Sequence, residues 1–258
     1  MKKTLPIILL AFAAICVQLN AQRLYPVTSG EIIFSNSQAS YTQAFIDQYP
    51  GARLASNNVR FTLFFHIGQY MHYDFNDRIG LYSGLGIRNV GMITDETLPQ
   101  TVSTSGSEMQ YEDYKIIRRQ YMLGLPLALK LGSFDNHLYF FGGGEIEMAF
   151  HFKEKYWTGI YDRSGSKTKT TKWFANQTPT FLPSLFAGVQ FPGGVNVRFK
   201  YYLENFLNSD YKISSNSQEG SIFNLSDLSR YEESQIWYVS VCWQFPTSKI
   251  FRGLESKE

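Results

Sequence analysis

The sequence has few cysteines and little excess charge of either sign. It contains only Cys16 and Cys242, and Cys16 lies in an N-terminal segment that we expect to be removed. The remaining chain then has no internal disulfide and no thiolate metal cluster to form. The formal net charge is +2, which Lys2 and Lys3 account for. A nucleic-acid partner would require a concentrated basic face, so we expect none.

Beyond its N-terminus the sequence also lacks long hydrophobic runs. None approaches the roughly 20 apolar residues that a membrane helix needs, which excludes a helical membrane protein. The run at 5–17 is shorter, follows two lysines and precedes Ala21, as is typical of a secretory signal peptide. We predict a signal peptide over 1–21 and one exported domain over 22–258. A lipoprotein would need a small residue before its first cysteine, where Ile15 stands.

Aromatic residues are abundant, at 16% of the chain, and they occur in alternating stretches. In 138–153 one alternate set is apolar or glycine throughout, and the other set carries every charge. Successive side chains of a strand point to opposite faces, so this alternation predicts a strand. The three glycines at 142–144 then lie inside a strand. A phosphate-binding loop would instead continue into Lys followed by Ser or Thr, which is absent here.

Alternation of this kind defines eight candidate strands, the first of them weak. They lie at 31–38, 59–74, 79–93, 115–131, 138–153, 184–191, 195–206 and 235–245. Several match the roughly 9 to 11 residues of a tilted membrane strand, and short turns alternate with long polar loops. We therefore predict an all-β, antiparallel up-and-down transmembrane β-barrel with eight strands, four long extracellular loops and short periplasmic turns. A barrel of ten strands that uses 39–58 remains open.

The inward faces of these strands carry ionisable residues of both signs. An eight-stranded barrel has an interior just wide enough for its own side chains, and a buried charge is costly unless it is paired. We predict a structural ionic network in the lumen, with no catalytic, cofactor or metal role, and keep a ligand or ion site built from the same residues as the alternative. Because bases outnumber acids in this set, we expect some bases to reach water near a mouth. The candidates are Arg60, His66, Arg88, Arg118, Lys130, Glu145, Glu147, His151, Lys153, Arg198, Lys200 and Glu204.

Six stretches carry a resemblance to a known family. They are the end of the exported N-terminus, LNAQ (19–22), then GEIIFSNS (30–37), GLYSGLGIRNVG (80–91), RRQYMLGLPLALKLG (118–132), FFGGGEIEMAFHFKEK (140–155) and RFKYYLENFLN (198–208). Together they resemble the small outer-membrane β-barrels of the Bacteroidota, the porin-family or PorT-like proteins, over nearly the whole exported domain. The resemblance implies an outer-membrane location and no catalytic residues. Many relatives have no assigned activity, and some are linked to type IX secretion.

These observations lead to one functional expectation and three alternatives. We expect a monomeric outer-membrane barrel with a filled polar lumen, a structural or surface-binding role, no enzymatic activity and no cofactor. Its expected partners are outer-membrane lipid and a surface or periplasmic protein. A narrow porin would need an open lumen, and a surface hydrolase could use His151 near the outer rim as a base. A secreted soluble β-sandwich or lipid-binding barrel fits poorly, because apolar residues face one way on every strand.

Overall fold

The computed structural model describes residues 23–56, 58–63, 66–100, 109–159, 165–213 and 223–247. The predicted signal peptide lies outside the described residues. No helix within these ranges combines the length and apolar character needed to cross a membrane. The elements are β1 (Arg23–Tyr41), α1 (Gln43–Gln48), β2 (Arg53–Ala55), β3 (Arg60–Thr62), β4 (Ile67–Asp74), β5 (Ile79–Pro99), β6 (Tyr111–Ser133), β7 (Leu138–Thr158), β8 (Lys167–Trp173), β9 (Phe181–Gln190), β10 (Val195–Tyr202) and β11 (Tyr231–Pro246).

The strands form one antiparallel sheet that closes on itself. The closed path runs β1, β4, β5, β6, β7, β9, β10 and β11, and β11 pairs back to β1 from Val27↔Pro246 to Tyr41↔Tyr231. Strands β2, β3 and β8 pair outside this path, with β5, β1 and β7 respectively. The predicted all-β antiparallel fold is confirmed, and closure removes the exposed edges that an open sheet would have.

The connections divide the closed sheet into two ends. Short connections at 75–78, 134–137 and 191–194 gather at one end, which we call the turn end. The opposite end, the loop end, carries the longer connections. Several strands run further toward the loop end than the sequence predicts. β5, for example, continues to Pro99, because Thr94, Glu96 and Leu98 keep its inward period.

The segment that connects β1 to β4 contains a helix and two short strands, not an extra pair of barrel strands. Residues 43–48 form α1, and β2 pairs only with residues 95–97 of β5. β3 pairs only with residues 33–35 of β1. Neither short strand adds a position to the closed path. The same holds for β8, which pairs with residues 151–157 of β7, on the loop-end side of the residues that pair with β9.

Apolar side chains cover the outside of the closed sheet, and charged side chains fill its inside. On β6 the outward leucines at 125, 127, 129 and 131 are between 42% and 62% exposed, whereas Lys130 and Arg118 are fully buried. The other ring strands follow the same rule, as with exposed Phe140 beside buried Phe141 and Glu145 on β7. A water-soluble protein has the reverse distribution, because charged side chains are almost never buried unless they are paired.

An apolar core closes the loop end of the barrel. Thr42 caps α1, its hydroxyl accepting a hydrogen bond from the Phe45 backbone N–H at 3.3 Å. The Phe45 ring then packs against Tyr41, Tyr49 and Phe223, with ring centroids 4.8, 5.1 and 6.0 Å apart. These residues belong to one buried cluster that continues into the barrel through inward side chains of the ring strands.

Candidate functional site

The buried charges inside the barrel form three layers stacked from the loop end to the turn end. The central layer is built around Arg88 on β5. Its Nε lies 2.9 Å from Glu31 Oε2, its Nη1 lies 3.2 Å from Glu147 Oε1 and also donates to Glu145, and its Nη2 donates to the Tyr70 hydroxyl at 2.9 Å. One guanidinium thus bridges carboxylates from β1 and β7, which lie far apart in the sequence.

Two further cations complete the central layer. Lys200 Nζ lies 2.9 Å from Glu145 Oε2 and 2.8 Å from Glu147 Oε2. Arg198 lies 3.9 Å from Glu31 Oε1, and its guanidinium stacks 5.7 and 5.2 Å from the Phe141 and Phe186 ring centroids. Such cation–π contacts are favourable for a desolvated cation. Three carboxylates therefore face three cations, and the layer is neutral.

The loop-end layer ties the segment before β11 to the barrel wall. Glu96 on β5 accepts hydrogen bonds from Tyr41 at 2.8 Å, from Arg230 at 3.1 Å and from Tyr231. Arg118 on β6 lies 3.4 Å from Glu96 and 2.7 Å from Glu154. Two carboxylates again face two cations. The hydrogen bonds reach Arg230 and Tyr231 at the start of β11, so this layer also fixes the residues that directly precede β11, where Arg230 donates to the Leu225 backbone oxygen.

The turn-end layer is a single ion pair among aromatic rings. Lys130 Nζ donates to Asp74, lies 3.2 Å from His72 Nδ1, and stands 4.5 Å from the Phe134 ring centroid. The Tyr25 and Tyr139 centroids are 5.3 and 5.4 Å away. A cavity of about 330 Å³ opens beside these side chains at the turn end.

The three ionic layers are balanced in charge, whereas the predicted network contains more bases than acids. The three layers together contain six acids and six bases, all buried. The difference comes from partners that the predicted network omits, namely Glu31, Asp74, Glu96, Glu154 and Arg230. The first two continue the inward period of predicted strands and were therefore detectable. The last three lie beyond the predicted strand ends.

Glycines make room for the central layer. A Cβ added at Gly124 on β6 would lie 2.0 Å from Glu145 Oε1, and one at Gly86 would lie 3.0 Å from the Tyr70 hydroxyl. A side chain at either position would displace a member of the network. The glycines therefore have a packing role, which agrees with the absence of any phosphate-binding loop from the sequence.

Arg60 and His66 are buried but do not join the ionic layers. The Arg60 guanidinium donates to the Asn89 backbone and side-chain oxygens at 3.1 and 2.8 Å. His66 lies 3.1 Å from the Glu31 backbone oxygen and 3.2 Å from that of Asn89. β4 begins at Ile67, and on the loop-end side of that residue these two side chains bridge β1 and β3 to β5. Their role is to close a seam in the barrel wall.

The structure corrects the predicted positions of His151, Lys153 and Glu204. A β-bulge opposite Tyr121 and Met122 leaves Phe150 as an extra residue in β7, so the strand changes face there. Beyond the bulge Phe152 and Glu154 are buried inside, and His151 and Lys153 lie outside the lumen. Glu204 is exposed because β10 ends at Tyr202.

The interior offers little room for chemistry among the described residues. His151 contacts the Tyr121 and Trp173 rings, at 5.4 and 4.6 Å between centroids, and its ring stands outside the ionic layers. Within the described ranges no group of three His, Cys, Asp or Glu side chains is arranged to hold a metal ion. Most of the pairs in the layers are 3.4 Å or shorter, which fixes the side chains in place, whereas Arg198 lies 3.9 Å from Glu31 and its Nε and Nη1 have no hydrogen-bond partner among the described residues.

Comparison with known proteins gives distant structural similarities. No protein-family model matches the chain, and no curated protein matches it. The structure of Ail, the attachment invasion locus protein of Yersinia pestis, in complex with the heparin analogue sucrose octasulfate, is 10% identical with a TM-score of 0.33, covering 86% of this chain and 99% of Ail. The outer membrane protein OprG from Pseudomonas aeruginosa is also 10% identical with a TM-score of 0.33, covering 86% and 95% of the two chains.

Proposed function

We propose that this protein is an outer-membrane β-barrel with a closed lumen and a structural or surface-binding role. One observation carries the proposal, namely that leucines and phenylalanines cover the outside of a closed sheet while twelve paired charges fill its inside. An exposed apolar surface of this extent marks a membrane or protein interface. A belt that surrounds the whole ring fits lipid, because a protein partner would cover one side only.

The height of the belt supports a membrane-spanning orientation. From Leu131 to Tyr121 on β6, ten residue steps of about 3.3 Å at a tilt of about 40° rise about 25 Å. That is the height of the apolar band of outer-membrane barrels. We place the turn end in the periplasm and the loop end outside, because such barrels have short periplasmic turns and longer outer connections. The eight strands of the closed path are then the spanning strands.

A closed lumen is favoured over a narrow porin. Three neutral layers of ion pairs cross the interior, and the apolar core around Phe45 closes the loop end. Water-filled conduction would require these side chains to separate. We therefore propose that partners bind the outer connections, and that outer-membrane lipid, with a surface or periplasmic protein, are the natural contacts of a monomer that binds no nucleic acid.

We also propose that the protein is not an enzyme. The contacts of His151, the base that a surface hydrolase would use, are with aromatic rings, whereas a general base needs a nucleophile or water within hydrogen-bond reach. The relationship to the Bacteroidota porin-family barrels and removal of residues 1–21 belong to the same proposal. Mass spectrometry of the protein isolated from membranes tests that cleavage by locating the mature N-terminus.

Gel mobility and single-channel conductance test the proposal. A folded barrel refolded into detergent should migrate differently before and after boiling and should partition with membranes. Identical migration together with a soluble fraction would refute the membrane location. In planar bilayers we expect no steady single-channel current. Regular openings at neutral pH would instead support the narrow porin.

A further inference from the structure

A group of cations lies on the outside of the barrel, immediately beyond the apolar belt at the loop end. We call it the rim cation patch, and its members are Arg119, Lys153, Lys155, Lys167 and Lys169. The bulge at Phe150 creates it, because Phe152 and Glu154 turn inward beyond that point and the lysines between and after them turn outward. Arg119 lies outward by the uninterrupted alternation of β6, between the buried Arg118 and Gln120.

The patch spans three neighbouring strands in register. Arg119 is paired with Lys153, and Lys155 is paired with Lys169. Like charges directly opposite each other in a sheet are destabilising. None of the ion pairs found in the described ranges involves Arg119, Lys153, Lys167 or Lys169. The nearby Asp95 is already occupied by Lys115, at 2.7 Å. Like charges brought together in this way are the arrangement that an anionic ligand would stabilise.

The residues around the rim cation patch indicate its depth in the membrane and therefore the kind of anion it meets. One rung nearer the turn end, His151 is paired with Trp173 and with Tyr121. Trp173 and Phe174 are 67% and 66% exposed, and the Phe150 and Trp173 rings stack 6.1 Å apart. Exposed aromatic rings of this kind form the girdle at the level of lipid headgroups. The cations therefore stand at the depth of headgroup phosphates and point toward the lipid side.

We propose that the rim cation patch binds the phosphate groups of a phosphorylated glycolipid in the outer leaflet. The inference rests on the proposed function, because only a membrane-inserted barrel presents this face to headgroups. Strands lie about 4.8 Å apart and residues rise about 3.3 Å along a strand, so Arg119 and Lys169, two strands and two residues apart in register, are separated by about 12 Å between their backbones. A headgroup with two separated phosphates can contact both sides of the patch, and Arg119 can grip one phosphate in a bidentate manner.

The test measures lipid binding by the refolded full-length domain in detergent micelles, using native mass spectrometry. The probes are bis-phosphorylated lipid A, the same lipid after dephosphorylation, and soluble tripolyphosphate. The patch variant carries Arg119→Gln, Lys153→Gln and Lys169→Gln. A matched control carries Arg53→Gln, Arg78→Gln and Lys212→Gln, which remove the same charge at exposed positions away from the patch.

We expect the patch variant to bind the phosphorylated lipid at least tenfold more weakly than wild type, and the control to stay within twofold. Wild type should prefer the phosphorylated lipid at least tenfold over the dephosphorylated one. Equal binding by the patch variant, equal binding of the dephosphorylated lipid, or equally tight binding of tripolyphosphate would each overturn the lipid assignment. Gel mobility before and after boiling shows whether each protein folds as a barrel. A protein that folds as a barrel but binds both lipids equally refutes the lipid site alone, whereas a protein that does not fold as a barrel refutes the proposed function.

Discussion

Removal of Arg88 is the most direct test of the ionic interior. The change to Met keeps most of the side-chain volume and leaves Glu31, Glu145 and Glu147 facing only Lys200 and Arg198. The central layer then carries one uncompensated negative charge, and Tyr70 also loses its partner. Breaking a buried ion pair by removing one partner costs about 3–5 kcal/mol. We expect Arg88→Met to lower the free energy of unfolding by that amount.

The measurement is urea unfolding of the refolded barrel in lipid vesicles, followed by the fluorescence of its four tryptophans. Lys212→Met, at an exposed position, is the control and should change the free energy of unfolding by less than about 0.5 kcal/mol. The double variant Arg88→Met/Glu145→Gln restores charge balance in the layer. Because the two residues are in contact, their effects should not add, and the double variant should recover more than half of the loss.

Two results would refute the reasoning about neutral layers. The first is an Arg88→Met barrel that unfolds within 1 kcal/mol of wild type, since no other cation in the central layer can replace the four contacts of Arg88. The second is a double variant as unstable as the sum of the two single variants. That outcome would mean that Arg88 contributes by packing and not by charge.

Three further predictions concern packing, lipid contact and the loop end. Gly143→Ala should strongly reduce the folded fraction seen by gel mobility, because its Cβ would lie 2.0 Å from the Leu127 carbonyl oxygen, whereas Gly144→Ala, whose nearest neighbour is 3.8 Å away, should fold normally. Leu127→Arg should lower the free energy of unfolding in vesicles by about 2–4 kcal/mol, because Leu127 faces lipid. Thr168→Arg, at an exposed position beyond the belt, should lower it by less than about 0.5 kcal/mol, and equal losses would contradict a lipid-facing Leu127. Glu96→Gln should expose the bond after Arg230 to trypsin at least tenfold faster than Glu233→Gln does, since Glu96 holds Arg230 and Tyr231; equal rates would show that the apolar core alone orders this segment.

The strands were predictable because their signal is local. In 123–131 the alternating leucines by themselves define which side chains share a face, and the structure places those leucines outside and Lys130 inside. Strand ends were less accurate. β5 was predicted to end at 93 and continues to Pro99, and β6 was predicted to begin at 115 and begins at Tyr111, because pairing between the two strands continues beyond the apolar belt.

The bulge in β7 shows the limit of the alternation argument. Between Met148 and Phe152 the sequence keeps its period of two, so the sequence pattern does not indicate an extra residue. The bulge is visible only in the register with β6, where Tyr121 opposes His151 and Met122 opposes Ala149. One inserted residue exchanges the two faces of the rest of the strand. The interior thereby gains Glu154 for Arg118, and the rim gains Lys153.

The sequence by itself determined the strand period, the apolar outer face and the presence of charges of both signs inside, because these depend on neighbours two residues apart. Only the tertiary structure decided which charges meet. Arg88 finds Glu31 and Glu147 across the barrel, and the segment at 225–231 supplies Arg230 to Glu96 although it lies in a predicted loop. Such pairs depend on closure, stagger and shifts of register such as the bulge in β7, which are properties of strands brought together and are not encoded in any one of them.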